Sequence, residues 1–342
     1  MDSAWWPRKA DLSRQDYVGS AVCGECHSTL VLGQKQHAMA QTSLQASQSE
    51  ALDKPAKISL GKFQYSIERN GTDASYVVTN GQERFSGTLL WAIGSGGHGQ
   101  TFLFRDGNDW RETEVSFFTG IGFDLTPGRH EIIPTFADAV GRKLSEDDAE
   151  KCFGCHATAA LVDNRFDSRH LMPGISCEGC HGPGAAHVAA ASAGDTDPEM
   201  IMNPATLDPV SSVDFCGSCH RTWWDVMQLG SVGVNNVRFP AYRLETSPCW
   251  GNGDARLTCV ACHDPHKPLV TSTSFYDSKC LNCHVQSPSM APTNDHPGRG
   301  CPTSTSNCVT CHMPKYQLRQ MHAAFTDHDI RVVRNPGSFP ER

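Results

Sequence analysis

Nowhere does the 342-residue chain hold a run of about 18 or more apolar residues, so no segment of it reads as a membrane-spanning helix. Long runs of either charge are missing too. Lys and Arg number 29 against 37 Asp and Glu, a net −8 spread along the chain, which argues against a nucleic-acid-binding surface. The opening Met1 to Asp11 carries Trp5, Trp6 and Pro7 but lacks the apolar core of about 7 to 15 residues that marks a secretory leader. Apolar residues at 39% and charged residues at 19% exclude both a charge-rich disordered polymer and a membrane protein. This length predicts about two domains, with a core that needs no oligomer to complete it.

Cysteine, by contrast, is abundant. Sixteen are too many for an ordinary cytosolic enzyme and too few for a disulfide-dense miniature, so their spacing decides their role. C-x-x-C-H occurs at Cys23/Cys26/His27, Cys152/Cys155/His156, Cys177/Cys180/His181, Cys216/Cys219/His220, Cys259/Cys262/His263, Cys280/Cys283/His284 and Cys308/Cys311/His312. These are motifs one to seven, and they use fourteen cysteines. Two thiols two residues apart can add to the two vinyl groups of a porphyrin, and the adjacent imidazole then reaches the iron. A zinc ribbon makes no demand for His directly after the second Cys, and a thioredoxin-like pair occurs once beside a βαβ pattern. The seven repeats therefore predict seven covalently bound haems c, with the seven motif histidines as proximal ligands. Such haems are attached on the outer side of the energy-conserving membrane. An exported chain, periplasmic or extracellular, is expected, with its leader absent from this sequence.

Between motifs one and two lies a long stretch without cysteine. Within it Lys62 to Arg69, Ser75 to Thr79, Arg84 to Ile93, Gln100 to Phe104 and Glu114 to Phe118 are β-branched or aromatic. Asn70-Gly71, Asn80-Gly81 and Asp106-Gly107 turn pairs separate some of them, which predicts a small antiparallel sheet. From Cys152 to His312 the motifs recur at intervals of about 20 to 45 residues, with Gly, Pro, Ser and Asn between them and little amphipathic periodicity. Porphyrins must supply the missing apolar mass there, so this stretch should fold only with haem attached. The expected fold is a multihaem cytochrome c, with short helices and irregular loops wrapping seven haems and a β-rich insert near the N-terminus. The expected segments are 15–55 for the first haem, 56–135 for the insert and 136–335 for a six-haem domain.

Nine histidines remain for seven distal positions. In Cys262-His263-Asp264-Pro265-His266 the second imidazole follows too closely to round its own haem, so His266 should ligate a neighbour. His187 follows His181 across a Gly-Pro turn and small residues in the same way. His37 ends a polar helical segment, His322 and His328 flank Phe325-Thr326-Asp327, His98 sits in a Gly-rich stretch, and His170 completes the candidates. His130 and His296 have no local feature in their favour. Met39, Met172, Met202, Met227 and Met313 are competing sulfur donors that the supply of histidine makes unnecessary. The leftover Cys249 and Cys301 are expected to form a disulfide in an oxidising compartment.

Tyr17-Val18-Gly19-Ser20 before motif one, Gly174-Ile175-Ser176-Cys177-Glu178 with Cys-His-Gly-Pro-Gly, Cys-His-Asp-Pro-His, and Cys311-His312-Met313-Pro314 before Phe-Thr-Asp-His carry a family resemblance. The chain resembles the multihaem cytochrome c family related to the tetrahaem electron carrier of ammonia oxidation, over most of its length. Relatives include hydroxylamine oxidoreductase and the pentahaem and octahaem nitrite and tetrathionate reductases, which open one iron to substrate. Those reductases typically carry one motif ending in Lys, whereas all seven here end in His.

The resemblance implies an electron carrier with mostly bis-His haems, meeting redox partner proteins or an extracellular acceptor. Enzyme activity is left open. A reductase of a small nitrogen or sulfur oxyanion at one open haem is the second reading, with Arg221 or Tyr276 as candidate helpers. A third is a polymeric filament or other homo-oligomer in which His37 or His328 serves a neighbouring copy.

Overall fold

The computed structural model describes residues 13–53, 55–162, 165–195, 201–250, 256–284 and 301–333. The chain divides into two compact units, one of Pro7–Met202 with Arg319–His322, the other of Asn203–Leu318 with the chain from Ala323 on. The first holds motifs one to three and the second motifs four to seven. This boundary falls inside the stretch read from the sequence as one six-haem domain.

In the first unit α1 (Ser20–Lys35) leads into ten antiparallel strands. They are β1 (Ser43–Gln45), β2 (Ala56–Leu60), β3 (Phe63–Asn70), β4 (Asp73–Thr79), β5 (Arg84–Ile93), β6 (Gly99–Asp106), β7 (Asp109–Glu112), β8 (Val115–Phe118), β9 (Gly122–Leu125) and β10 (Arg142–Leu144). Their order is β10-β7-β6-β5-β4-β3-β2, with β1 on β5 and β8 joining β6 to β9. β9 returns against β2, so the sheet wraps around its own core. Alternation dictates that core: Phe63, Tyr65 and Ile67 of β3 face inward with Tyr76 and Val78 of β4, and Tyr65 pairs with Val78, Ile67 with Tyr76. Gly71 and Gly107 take the left-handed conformation in the tight β3–β4 and β6–β7 turns. All five expected strands are present. The others are short or more polar, and they pair only because a neighbouring strand offers an edge.

After the sheet come α2 (Phe136–Val140), α3 (Glu146–His156), α4 (Cys177–His181) and α5 (Ala185–Ser192). Ser145 caps α3 through the Asp148 N–H at 3.1 Å, and three acids in its first turn oppose the helix dipole. Phe153 of α3 packs on Trp91, Trp110 and Phe166, which seats motif two against the sheet.

The second unit consists of short helices: α6 (Pro209–His220), α7 (Trp223–Leu229), α8 (Pro240–Glu245), α9 (Cys259–Cys262), α10 (Thr273–Leu281) and α11 (Cys308–His312). A hairpin of Lys315–Leu318 and Ala323–Thr326 follows. Its apolar clusters among the described residues are small, one around Val213, Ala241, Leu244 and Trp250 and another of Val226, Phe239 and Tyr242. No helix among the described residues is long and apolar enough to cross a membrane.

Candidate functional site

Each motif sits on a helix or at its C-terminal end, where two cysteines three positions apart fall on one helix face. The second cysteines Cys26, Cys155 and Cys180 lie on α1, α3 and α4, and Cys219, Cys262 and Cys311 on α6, α9 and α11. Motif six departs from this pattern. Its Cys280 is on α10, but the helix ends at Leu281, and Cys283 and His284 lie in the turn beyond it. The amides of both still bond the Cys280 carbonyl, at 3.1 and 3.0 Å, which curls the turn back toward the first cysteine. Cys26 and Cys311 are exposed, whereas Cys155, Cys180, Cys283 and the His284 ring are half-buried. None of the sixteen cysteines forms a disulfide in this structure, so the expected Cys249–Cys301 bridge is not made.

Motif-bearing helices pack in pairs: α1 with α4, α6 with α9, α10 with α11, and α9 with α10. Their sulfurs meet as well. Cys216 stands beside Cys259, Cys280 beside Cys308, and Cys177 beside Cys23. Burial first, then the Cys177 charge, pushes the Cys23 thiol up to about 11.

Carboxylates staple two of these pairs. Glu178, the residue after the first cysteine of motif three, is 1% exposed. Its Oε1 accepts from the Val18 and Gly184 N–H groups at 2.8 and 2.9 Å, and its Oε2 from Gly19 N–H at 2.8 Å. It therefore grips the start of α1, whose unpaired amides favour an anion. Asp277 of α10 does the same for α11, accepting from Asn307 and Cys308 N–H at 2.8 Å each, and these bonds hold its carboxyl below the usual range.

An imidazole nitrogen binds a transition metal at about 2.0 to 2.1 Å. The centre of a five-membered ring with bonds of about 1.33 Å lies about 1.1 Å behind that nitrogen. Two imidazoles on opposite faces of one iron therefore have centres about 6.3 Å apart. Among the described residues, two such pairs meet this spacing. His187 of α5 lies 6.3 Å from His27, its ring tilted by 21°, and His328 lies 6.3 Å from His263 at 46°. Each joins a motif histidine to a distal candidate from elsewhere in the chain.

The hydrogen bonds on the other ring nitrogen suit metal binding. A carbonyl oxygen can only accept, so an Nδ1 facing one carries the proton and leaves Nε2 bare for a metal. His156 faces Thr42 O at 3.1 Å, His181 faces Met202 O at 2.8 Å, His312 faces Arg331 O at 2.9 Å, and His328 faces Thr326 O at 3.1 Å. Tyr276 donates its hydroxyl proton to Val270 O at 2.7 Å, so at 3.4 Å from His263 Nδ1 it is the acceptor. Burial, then His263, pulls His328 down to about 4 and keeps its ring neutral, the form that binds iron. These residues fit haem: paired thiols on one face, imidazoles whose Nδ1 is held by a carbonyl, and two ring pairs at the spacing of a shared iron.

The remaining candidates stand otherwise. His37 caps a 3-10 turn, its Nδ1 accepting from Met39 N–H at 3.0 Å. His98 is exposed between β5 and β6, and His266 lies 3.6 Å from Asp264. His170 is exposed with Nδ1 2.5 Å from Asp167, whose carboxyl the hydrogen bond lowers to about 2. His322 stacks edge-on with Phe118 and turns Nε2 to Asp124 at 2.9 Å. His130 is exposed, and His296 lies outside the described residues. Among the described residues, no cluster of three or more His, Cys, Asp or Glu is arranged to hold a bare metal ion.

Motif four borders an open cavity of about 340 Å³ lined by Cys219, His220, Arg221, Leu229, Arg238 and Phe239. Arg221 sits at φ 64°, a strained conformation for a side-chain-bearing residue, and burial first, then the Arg221 charge, lowers the pKa of Arg238.

Residues 135–182, which span motifs two and three, match the family described as cytochrome c554 and c-prime. Over 198 residues the chain is 26% identical to the multiheme cytochrome MtrA of Shewanella baltica (strain OS185), covering 54% of this chain and 50% of that protein. The chain thus spans about half the length of that relative. The crystal structure of the outer cell wall cytochrome OcwA superposes with a TM-score of 0.55 over 93% of this chain and 80% of that one, at 14% identity. Together with the repeated motifs, these likenesses show the fold of a multihaem c-type cytochrome.

Proposed function

We propose that the chain carries electrons through seven covalently bound haems c, most with two histidine ligands, in the periplasm or outside the cell. The observation that carries this reading is the pairing of motif helices together with two imidazole pairs whose ring centres stand 6.3 Å apart. Haem iron supplies reversible one-electron chemistry. The chain's work is to hold that iron. Thiols anchor each porphyrin edge, with Cys26, Cys155, Cys180 and Cys283 as the second sulfurs of motifs one, two, three and six. Motif histidines, His284 of the unwound motif six among them, bind one face, and distal histidines from a partner segment bind the other. Glu178 and Asp277 hold motif helices side by side, which keeps neighbouring haems close. A redox protein or an extracellular acceptor would meet an exposed haem edge, so no substrate pocket is needed.

Low-temperature electron paramagnetic resonance of the oxidised holoprotein tests this. Seven low-spin irons are expected where every haem is six-coordinate, and a majority of high-spin irons would contradict the reading. The cavity beside His220 favours a second reading, since Arg221 and Arg238 have no carboxylate partner among the described residues. They suit an anion there, either the propionates of that haem or a small nitrogen or sulfur oxyanion. A high-spin signal that shifts on adding nitrite or hydroxylamine would favour the oxyanion.

A further inference from the structure

His328 lies between two carboxylates that are fully buried. Arg243 of α8, itself 2% exposed, forks onto Asp327, with Nε to Oδ1 at 2.8 Å and Nη2 to Oδ2 at 3.0 Å, and Nη2 also reaches Asp329 Oδ2 at 3.1 Å. Arg331 closes the lattice from the other side. Its Nη1 donates to Asp327 Oδ2 and to Asp329 O, both at 2.7 Å, and its Nη2 to the Tyr316 hydroxyl at 3.1 Å. Two guanidiniums and two carboxylates balance in charge. Asp327 N–H is in turn tied to Pro314 O at 3.0 Å.

Stability alone does not account for such a cluster, because apolar residues of similar volume commonly stabilise as much as buried ion pairs do. Geometry accounts for it better. The lattice fixes the backbone on both sides of His328, whose Nδ1 is held by Thr326 while its ring faces His263. It also reaches a second motif. The Arg331 carbonyl takes the Nδ1 proton of His312, and the Arg331 N–H bonds His312 O at 3.3 Å. None of these four charged residues belongs to a C-x-x-C-H motif.

Resting on the proposed haem reading, we infer that Arg243 is a positioning residue shared by two haem sites. Through Asp327 and Asp329 it sets the grip of His328 on the motif-five iron, and through Arg331 it sets the orientation of His312 on the motif-seven iron. A planar fork is required, since a lysine ammonium cannot bind both oxygens of Asp327 in register. Removing the guanidinium leaves buried carboxylate charge beside both irons, which favours the ferric state and lowers their potentials.

The test uses full-length holoprotein carrying Arg243→Gln, Arg243→Lys or Tyr316→Phe, each checked by intact mass. The two imidazole pairs differ in interplanar angle, 21° against 46°, and low-spin ferric signals depend on that angle, so the pairs are separable in paramagnetic resonance. Arg243→Gln is expected to convert the signal of the 46° pair to high spin and to shift two of the seven potentials in a redox titration, that of motif seven downward. The 21° signal stays in place. Arg243→Lys restores the charge and most of the potential without restoring the signal. Tyr316→Phe removes one hydrogen bond and moves the same two potentials by less, which keeps the test decisive if Arg243→Gln does not mature. Spectra and potentials superimposable on wild type, or a change spread evenly over all haems, would overturn the inference. Wild-type protein lacking seven haems by mass would overturn the proposed function instead.

Discussion

Replacing Glu178 by alanine should loosen the pairing of motifs one and three. The carboxylate is buried and accepts three backbone N–H bonds, two from the start of α1 and one from Gly184. Each donor left without a partner costs about 1 to 3 kcal/mol where water cannot replace the lost acceptor. Partial solvent access at Val18 and Gly19 trims that sum to about 4 kcal/mol. In a unit of this size 1 kcal/mol corresponds to about 2 to 4 °C, so the first unit should melt roughly 10 °C lower. Glu178→Gln keeps one acceptor oxygen but loses the charge and turns an amide N–H toward a donor, so about half the loss is expected. The assay is thermal unfolding of holoprotein followed by near-ultraviolet circular dichroism, beside the resonance signal of the His27–His187 pair. A Glu178→Ala protein melting within about 2 °C of wild type would refute the role given to this carboxylate.

His187→Met should replace nitrogen by sulfur on the motif-one iron and raise one potential in a redox titration, leaving the others unmoved. Gly174→Ala should destabilise the first unit by more than about 2 kcal/mol in denaturant titration, because Gly174 sits at φ 70° and an added Cβ would meet the Ala40 carbonyl. Burial, partly offset by Arg129, raises Glu114 to about 7, with Glu112, Asp138, Tyr65 and Tyr76 as its other titratable neighbours. The folded pKa exceeds the unfolded one, so the neutral form stabilises the fold. That stability is full below about pH 4.5 and falls by roughly 2 to 3 kcal/mol as pH rises through 7. Melting curves at pH 5 and pH 8 should differ accordingly in wild type, and by less in Glu114→Gln.

Local chemistry was legible in the sequence and long-range pairing was not. The motifs named fourteen cysteines and seven histidines from spacing alone, and asparagine–glycine turns with alternating aromatics located β3 to β6. Spacing does not reveal that α10 stops short of Cys283 and His284, because the same C-x-x-C-H pattern is helical throughout in α4 and α11. Small residues after His181 point His187 away from its own motif's haem, and its ring centre lies 6.3 Å from that of His27. No local rule selects that particular partner. Glu178 reads as filler inside a C-x-x-C, yet it bonds residues about 160 positions earlier. Arg243 meets Asp327 across 84 positions, and the aspartates beside His328 carry no periodic signal. His322 looked equivalent to His328 in sequence, but a left-handed backbone and Asp124 turn its ring elsewhere. Burial and charge pairing distinguish the two only once the chain is folded.

Intact-mass analysis of protein matured in a host that attaches haem c decides whether the paired thiols carry porphyrin. The expected mass exceeds that of the polypeptide by seven haems, with all fourteen motif cysteines blocked to thiol reagents. A polypeptide of unmodified mass, or one carrying zinc on free thiolates, would contradict it.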